Sequence, residues 1–230
     1  MKKLLPFSCF LFLLACTNEQ EAKPVDMPSG GGIYQNFLVS GEEGQEAVTV
    51  RLQFHDGGSD GDAIQLNAPG TVFLDDTPLP PDSTKFNGVY YEVSVPVADF
   101  TGRHTIRFTA PDGREHSEEF SFAPFTLAKE FPEKIKKEPF AIQLDGIGEA
   151  SEFIRLVMVD TSMQSADVNE DVLMEEGRIA ITEDHLANLT EGPVYLELYR
   201  EQEQLVRNRA KGGGKLVITY ALKRQFTLWR

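Results

Sequence analysis

The stretch Glu46-Ala47-Val48-Thr49-Val50-Arg51-Leu52-Gln53-Phe54 decides the fold class. Val48, Val50, Leu52 and Phe54 alternate with Thr49, Arg51 and Gln53, so an extended chain puts the apolar set on one face and the polar set in water. The same period of two returns at Val89, Tyr91, Val93 and Val95, at His104, Ile106 and Phe108, and at Phe120 and Phe122. Between these runs stand turn signals: Asp56-Gly57-Gly58, Pro69-Gly70, Asp75-Asp76, Asn87-Gly88, Thr101-Gly102 and Asp112-Gly113. Many short strands separated by such turns predict an antiparallel β-sandwich.

A second set follows Phe131-Pro132-Glu133-Lys134-Ile135-Lys136-Lys137-Glu138-Pro139, a charged, proline-bounded stretch that serves as a hinge or as the first edge of a new domain. Strands are predicted over 140–144, 153–159, 178–181, 194–199, 215–222 and 225–229. Helical spacing is scarce: Val168, Val172 and Leu173 predict a helix over 166–176, and a single turn is expected over 184–189. The class is therefore all-β, with two tandem antiparallel β-sandwich domains over 33–131 and 132–230; one larger sandwich or barrel is the alternative. The halves carry matching approaches to a strand, Phe100-Thr101-Gly102 before His104 and Ile106, and Leu189-Thr190-Glu191-Gly192 before Val194 and Tyr195. The spacing of Leu189 and Tyr195 resembles the corner before strand F of fibronectin type III and other immunoglobulin-like domains, where a tyrosine hydroxyl bonds back to the chain. That resemblance implies tandem Ig-like domains. The lone Trp229 and the cysteine positions exclude the antibody variety, which needs a disulfide packed on tryptophan.

The N-terminus carries an address. Lys2 and Lys3 precede an apolar run, Leu4 to Leu14, that is too short for a membrane span of about 20 residues. Its end, Leu13-Leu14-Ala15-Cys16, resembles the lipobox of bacterial lipoproteins: an aliphatic residue, a small one before the cleaved bond, then cysteine. The resemblance implies a signal peptide over 1–15, cleavage between Ala15 and Cys16, and acylation of Cys16 with chains such as palmitate. Several chains, at roughly 0.8 kcal/mol per buried methylene, hold a protein on a membrane without a transmembrane helix. Thr17 follows in place of the Asp that marks inner-membrane retention in some Gram-negative bacteria, which favours the outer membrane, facing periplasm or cell surface. Residues 16–32, polar and ending Ser29-Gly30-Gly31-Gly32, are expected to form a tether with a mean reach of about 20–25 Å.

Charge and cysteine usage narrow the rest. Cys9 leaves with the signal and Cys16 carries lipid, so neither a disulfide nor a thiol nucleophile is expected in the mature chain. The net charge of −14 argues against nucleic acid, whose partners present basic surfaces. Loss of Lys2 and Lys3 makes the mature chain still more acidic, and such a surface is repelled by anionic head groups.

No catalytic motif, and no cofactor motif, is legible. His55, His104, His116 and His185 are scattered, and His104 falls on the apolar phase of its strand, as a packed core histidine would. Glu42-Glu43, Asp75-Asp76 and Glu175-Glu176 are expected as solvated turns. Two stretches have calcium-like spacing, Asp56/Asp60/Asp62 and Asp167/Asn169/Asp171, but both fail the EF-hand pattern and a plain turn is expected at each. Arg200, Arg207, Arg209, Lys211, Lys215, Lys223, Arg224 and Arg230 crowd the C-terminal strands, either as a solvated hairpin or as a patch for an acidic partner. Phe73, Tyr90 and Tyr91 are candidates for a sugar-stacking platform, with core packing the plainer expectation. Together these features predict a non-catalytic outer-membrane lipoprotein acting as spacer and binding module, held by its acyl chains and engaging a protein or glycan. The alternatives are a glycan-binding accessory of polysaccharide uptake and a hydrolase built from dispersed carboxylates.

Overall fold

The structure is a computed structural model that describes residues 32–230 apart from Pro69, 149–151, 163–166 and 208–209. Ala15 and Cys16 lie outside the described residues. The first half contains β1 (Ile33–Glu42), β2 (Ala47–Asp56), β3 (Val72–Leu74), β4 (Thr77–Pro78), β5 (Pro81–Thr84), β6 (Gly88–Pro96), β7 (Gly102–Thr109), β8 (Glu115–Phe122) and β9 (Thr126–Leu127). Then follow β10 (Lys134–Lys136), β11 (Phe140–Asp145), β12 (Glu152–Asp160), β13 (Val168–Met174), β14 (Arg178–Ile181), helix α1 (Glu183–Ala187), β15 (Gly192–Leu205) and β16 (Gly214–Trp229). The chain is all-β, arranged as sandwich-like sheets.

One large sheet runs in the order β13-β12-β15-β16-β1-β2-β6-β5, with β10 added beside β16. Two smaller sheets, β4-β3-β7-β8 and β14-β11-β9, accompany it. Alternation explains the layers: β2 buries Val48, Val50, Leu52 and Phe54 while Thr49, Arg51 and Gln53 face outward. Phe54 packs its ring against Phe37, Tyr91 and Phe108, the last from the small sheet across the core. Most ladders are antiparallel. Two are parallel, β1 with the first half of β16, from Gln35↔Gly214 to Glu42↔Ala221, and β10 with its end.

The hairpin of β15 and β16 joins the halves. Residues 215–222 and 225–229, predicted as separate strands, form one strand that pairs with β1 early and with β15 throughout. Tyr220 marks the crossing, with its ring centroid 5.8 Å from Phe122 and 5.1 Å from Phe125. Just beyond it Arg224 occupies an inward-phase position between Leu222 and Phe226. It is tolerated there because Glu43 accepts from its Nη1, while both carboxylate oxygens of Glu130 accept from Nε and Nη2 at 2.9 and 2.8 Å. These ion pairs push the guanidinium pKa up and hold the Glu130 carboxyl below its usual range. Residues 134–136, within the proline-bounded stretch, add as a strand to the end of β16.

The predicted helix over 166–176 is overturned: residues 168–174 form an edge strand on β12. A spacing of four, as between Val168 and Val172, places two side chains on one face of either a helix or a strand. The strand has a partner edge, and Glu170, midway on the same phase, meets His185 Nε2 at 2.9 Å. The single turn expected over 184–189 is α1, capped reciprocally by Thr182 and His185.

Candidate binding face

The outer face of the large sheet is open where β12, β13, β15 and β16 lie side by side. Register sets its rows: Val159 beside Tyr195 and Gln225; Asn169, Val157, Glu197 and Lys223; Asp171, Arg155, Tyr199 and Ala221; Leu173 beside Phe153. β12 has apolar residues on both phases, Ile154, Leu156 and Met158 buried inside, Phe153, Val157 and Val159 outside. A strand apolar on both faces is normally covered on both. Here Phe153 is 65% and Tyr195 52% exposed.

Two grooves of about 440 Å³ each cut this face. One is lined by Val157, Val159, Tyr195 and the chain around Lys223, the other by Phe153, Arg155, Asp171, Tyr199 and Glu201. The charges between them are matched in place. Arg155 grips Asp171 through Nε and Nη2 at 3.0 and 3.1 Å, and Lys223 Nζ lies 2.6 Å from Glu42 and 3.9 Å from Glu197. Burial raises the pKa of Tyr199, and the Glu42 carboxylate raises that of Lys223. The surface is thus largely apolar and aromatic, with Arg155 and Asp171, and Lys223 and Glu197, paired in place.

The residues singled out in the sequence are distributed otherwise. Phe73, Tyr90 and Tyr91 form no platform. Phe73 lies in the small sheet under Arg107, whereas Tyr90 and Tyr91 project to opposite faces of β6. Tyr91 is a core residue whose hydroxyl accepts from Leu66 N–H at 2.9 Å; Tyr90 lies under Arg51 and donates to Asp82 at 3.2 Å. Several of the C-terminal cations are paired in place: Arg200 with Glu152, Lys215 with Glu203, and Arg230 with Glu191. Arg209 lies outside the described residues. Asp171 of the second calcium-like stretch belongs to a strand and serves Arg155. The first stretch is folded as a turn in which Asp56 N–H donates to the Asp62 carbonyl and His55 Nδ1 meets the Gly61 carbonyl. Among the described residues no three His, Cys, Asp or Glu side chains come together as metal ligands do.

The corner before β15 is built by a different residue from the one predicted. Tyr195 stands on the outer face, and buried Asp160 holds the turn, its Oδ2 accepting from Thr190 N–H at 2.7 Å and from the Thr190 hydroxyl at 2.9 Å. His104 is a packed core residue, stacked 3.9 Å from Phe100, and His116 stacks on Phe108 at 4.8 Å. This candidate face was missed, although the doubly apolar run Phe153-Ile154-Arg155-Leu156-Val157-Met158-Val159 signals it.

No family model matches the chain, and no curated protein does. Among solved structures it is similar to DIP-gamma IG1+IG2 at a TM-score of 0.24 and 6% identity, over 82% of this chain and 94% of that one. It is also similar to titin A168169, at 0.25 and 10%, over 83% and 98%. A third similarity is to the adhesin InvE of Yersinia pseudotuberculosis, at 0.23 and 14%, over 88% of this chain and 61% of that one.

Proposed function

We propose that this chain is a non-catalytic, lipid-anchored spacer and binding module of the bacterial outer membrane, made of two Ig-like sandwich units that share the β15–β16 hairpin. Cys16 carries the acyl chains at the head of a tether over residues 16–32, and the outer face of β12, β15 and β16 takes a protein partner. The observation that carries the binding role is the apolar strip of exposed Phe153 and Tyr195 with half-buried Val157 and Val159, set between charge pairs already closed on themselves. Such a strip gains most by desolvation against another protein, and the charges of Arg155, Asp171, Lys223 and Glu197 within it already have partners.

Mass analysis of the mature N-terminal peptide tests the anchor: an acylated Cys16 is expected, with loss of membrane retention in Cys16→Ala. A photo-crosslinking residue in place of Tyr195, compared in living cells with one in place of Glu119, tests the face. A discrete adduct from the Tyr195 position alone supports the reading; equal or absent adducts discard it. Protease shaving of intact against lysed cells assigns the side of the membrane.

A further inference from the structure

The two most exposed large apolar side chains among the described residues, Phe86 at 95% and Leu205 at 67%, share one end of the molecule. It is the end at which the chain enters from residue 31. Gly32 bonds through its carbonyl to Gly57 N–H, at the close of β2, and Gln53 Nε2 donates to the Asn87 carbonyl. Phe86 therefore tips the β5–β6 hairpin level with the chain entry, next to exposed Lys85. Leu205 lies in the row Leu205, Lys215, Asn36 and Gln53 on the opposite flank of β1. That row is set back about 10 Å from the entry at a strand rise near 3.3 Å per residue. Trp229 closes β16 at the other end, about 50 Å along the strand from Gly214 on the same rise.

From this placement we propose that Phe86 is a membrane contact: the β5–β6 tip inserts its ring among the lipid head groups while the tether holds that end against the bilayer. The inference rests on the lipidated Cys16 of the proposed function. An aromatic ring beside a lysine fits the interfacial zone, where the ring leaves water and the ammonium remains in it. A tether with a mean reach of about 20–25 Å holds the entry end closer to the surface than the far end. Asp60 and Asp62 stand at the same end, so the contact is apolar rather than electrostatic and suits a zwitterionic bilayer.

The test uses the full-length, acylated protein in phosphatidylcholine vesicles whose acyl chains are brominated, which quench tryptophan on contact. The native chain reports from Trp229; Phe86→Trp and Leu205→Trp, each combined with Trp229→Phe, report from the entry end. Flotation establishes attachment independently of quenching. Expected are flotation of all three proteins, roughly twofold quenching at position 86, less at 205, and none from Trp229. Flotation without quenching at 86 overturns the tip contact while leaving the anchor intact. Equal quenching at all three sites overturns it as well, since the module then lies flat. Failure to float removes the anchor and this inference with it.

Discussion

His104 Nδ1 lies 2.9 Å from Asp75 Oδ2, linking a buried ring of β7 to the turn between β3 and β4. Asp75 is held at φ 52°, its Oδ1 accepts from Thr105 N–H at 2.8 Å, and its own N–H donates to the Thr105 carbonyl. Its carboxylate and backbone thus pin a left-handed turn to the neighbouring strand. Asp75→Asn keeps an acceptor and tolerates this backbone, whereas Asp75→Ala keeps neither. The alanine variant is expected to lose about 1–2 kcal/mol in denaturant unfolding, and the asparagine variant measurably less.

Arg224 predicts an acid limb. It depresses the Glu130 carboxyl in the folded chain, so the stabilisation is present above the unfolded value of 4.5 and is lost as pH falls through the folded value. Glu130→Gln should flatten the fall in stability below that point, as read from melting temperature against pH. Arg224→Met, which strands the partly buried Glu43, should lower stability at neutral pH by about 1–3 kcal/mol.

An alkaline limb is expected from Tyr91, whose pKa is raised by burial. A raised value means stability that is complete below the unfolded value of 10.0 and lost as pH rises through the folded one. Tyr91→Phe removes that contribution, and it also leaves Leu66 N–H without its acceptor, lowering neutral-pH stability by about 1–2 kcal/mol. Absorbance at the tyrosinate band, compared between the two proteins, locates the titration.

Gln35 is fully buried on the inner face of β1, and among the described residues neither end of its amide has a partner. Gln35→Leu is therefore expected to raise the melting temperature, and Gln35→Ala, which leaves a cavity, to lower it. A destabilised leucine variant would mean that the amide bonds a buried water.

Period-two alternation made β2, β6 and β7 legible, because each lies between a core and an open face. β1 was not singled out, since Gln35 interrupts its inward row of Ile33, Phe37 and Val39. β13 was misassigned because Val168 and Val172 fit both periods. Tyr195 was predicted in a corner that Asp160, distant in sequence, supports, a pairing that local spacing does not encode. The candidate face escaped for a related reason: it exists through the register of four strands, and the sequence orders residues along strands rather than across them.

The parallel pairing of β1 with β16 has a mechanical consequence. Tension between Gly32 and Trp229 pulls β1 toward its start and β16 toward its end, so the two strands are drawn past each other along their length. The rungs from Gln35↔Gly214 to Glu42↔Ala221 then bear the load together, in shear, instead of opening one after another like a zip. A protein held at one end by lipid and gripped at the other would resist extension through this ladder.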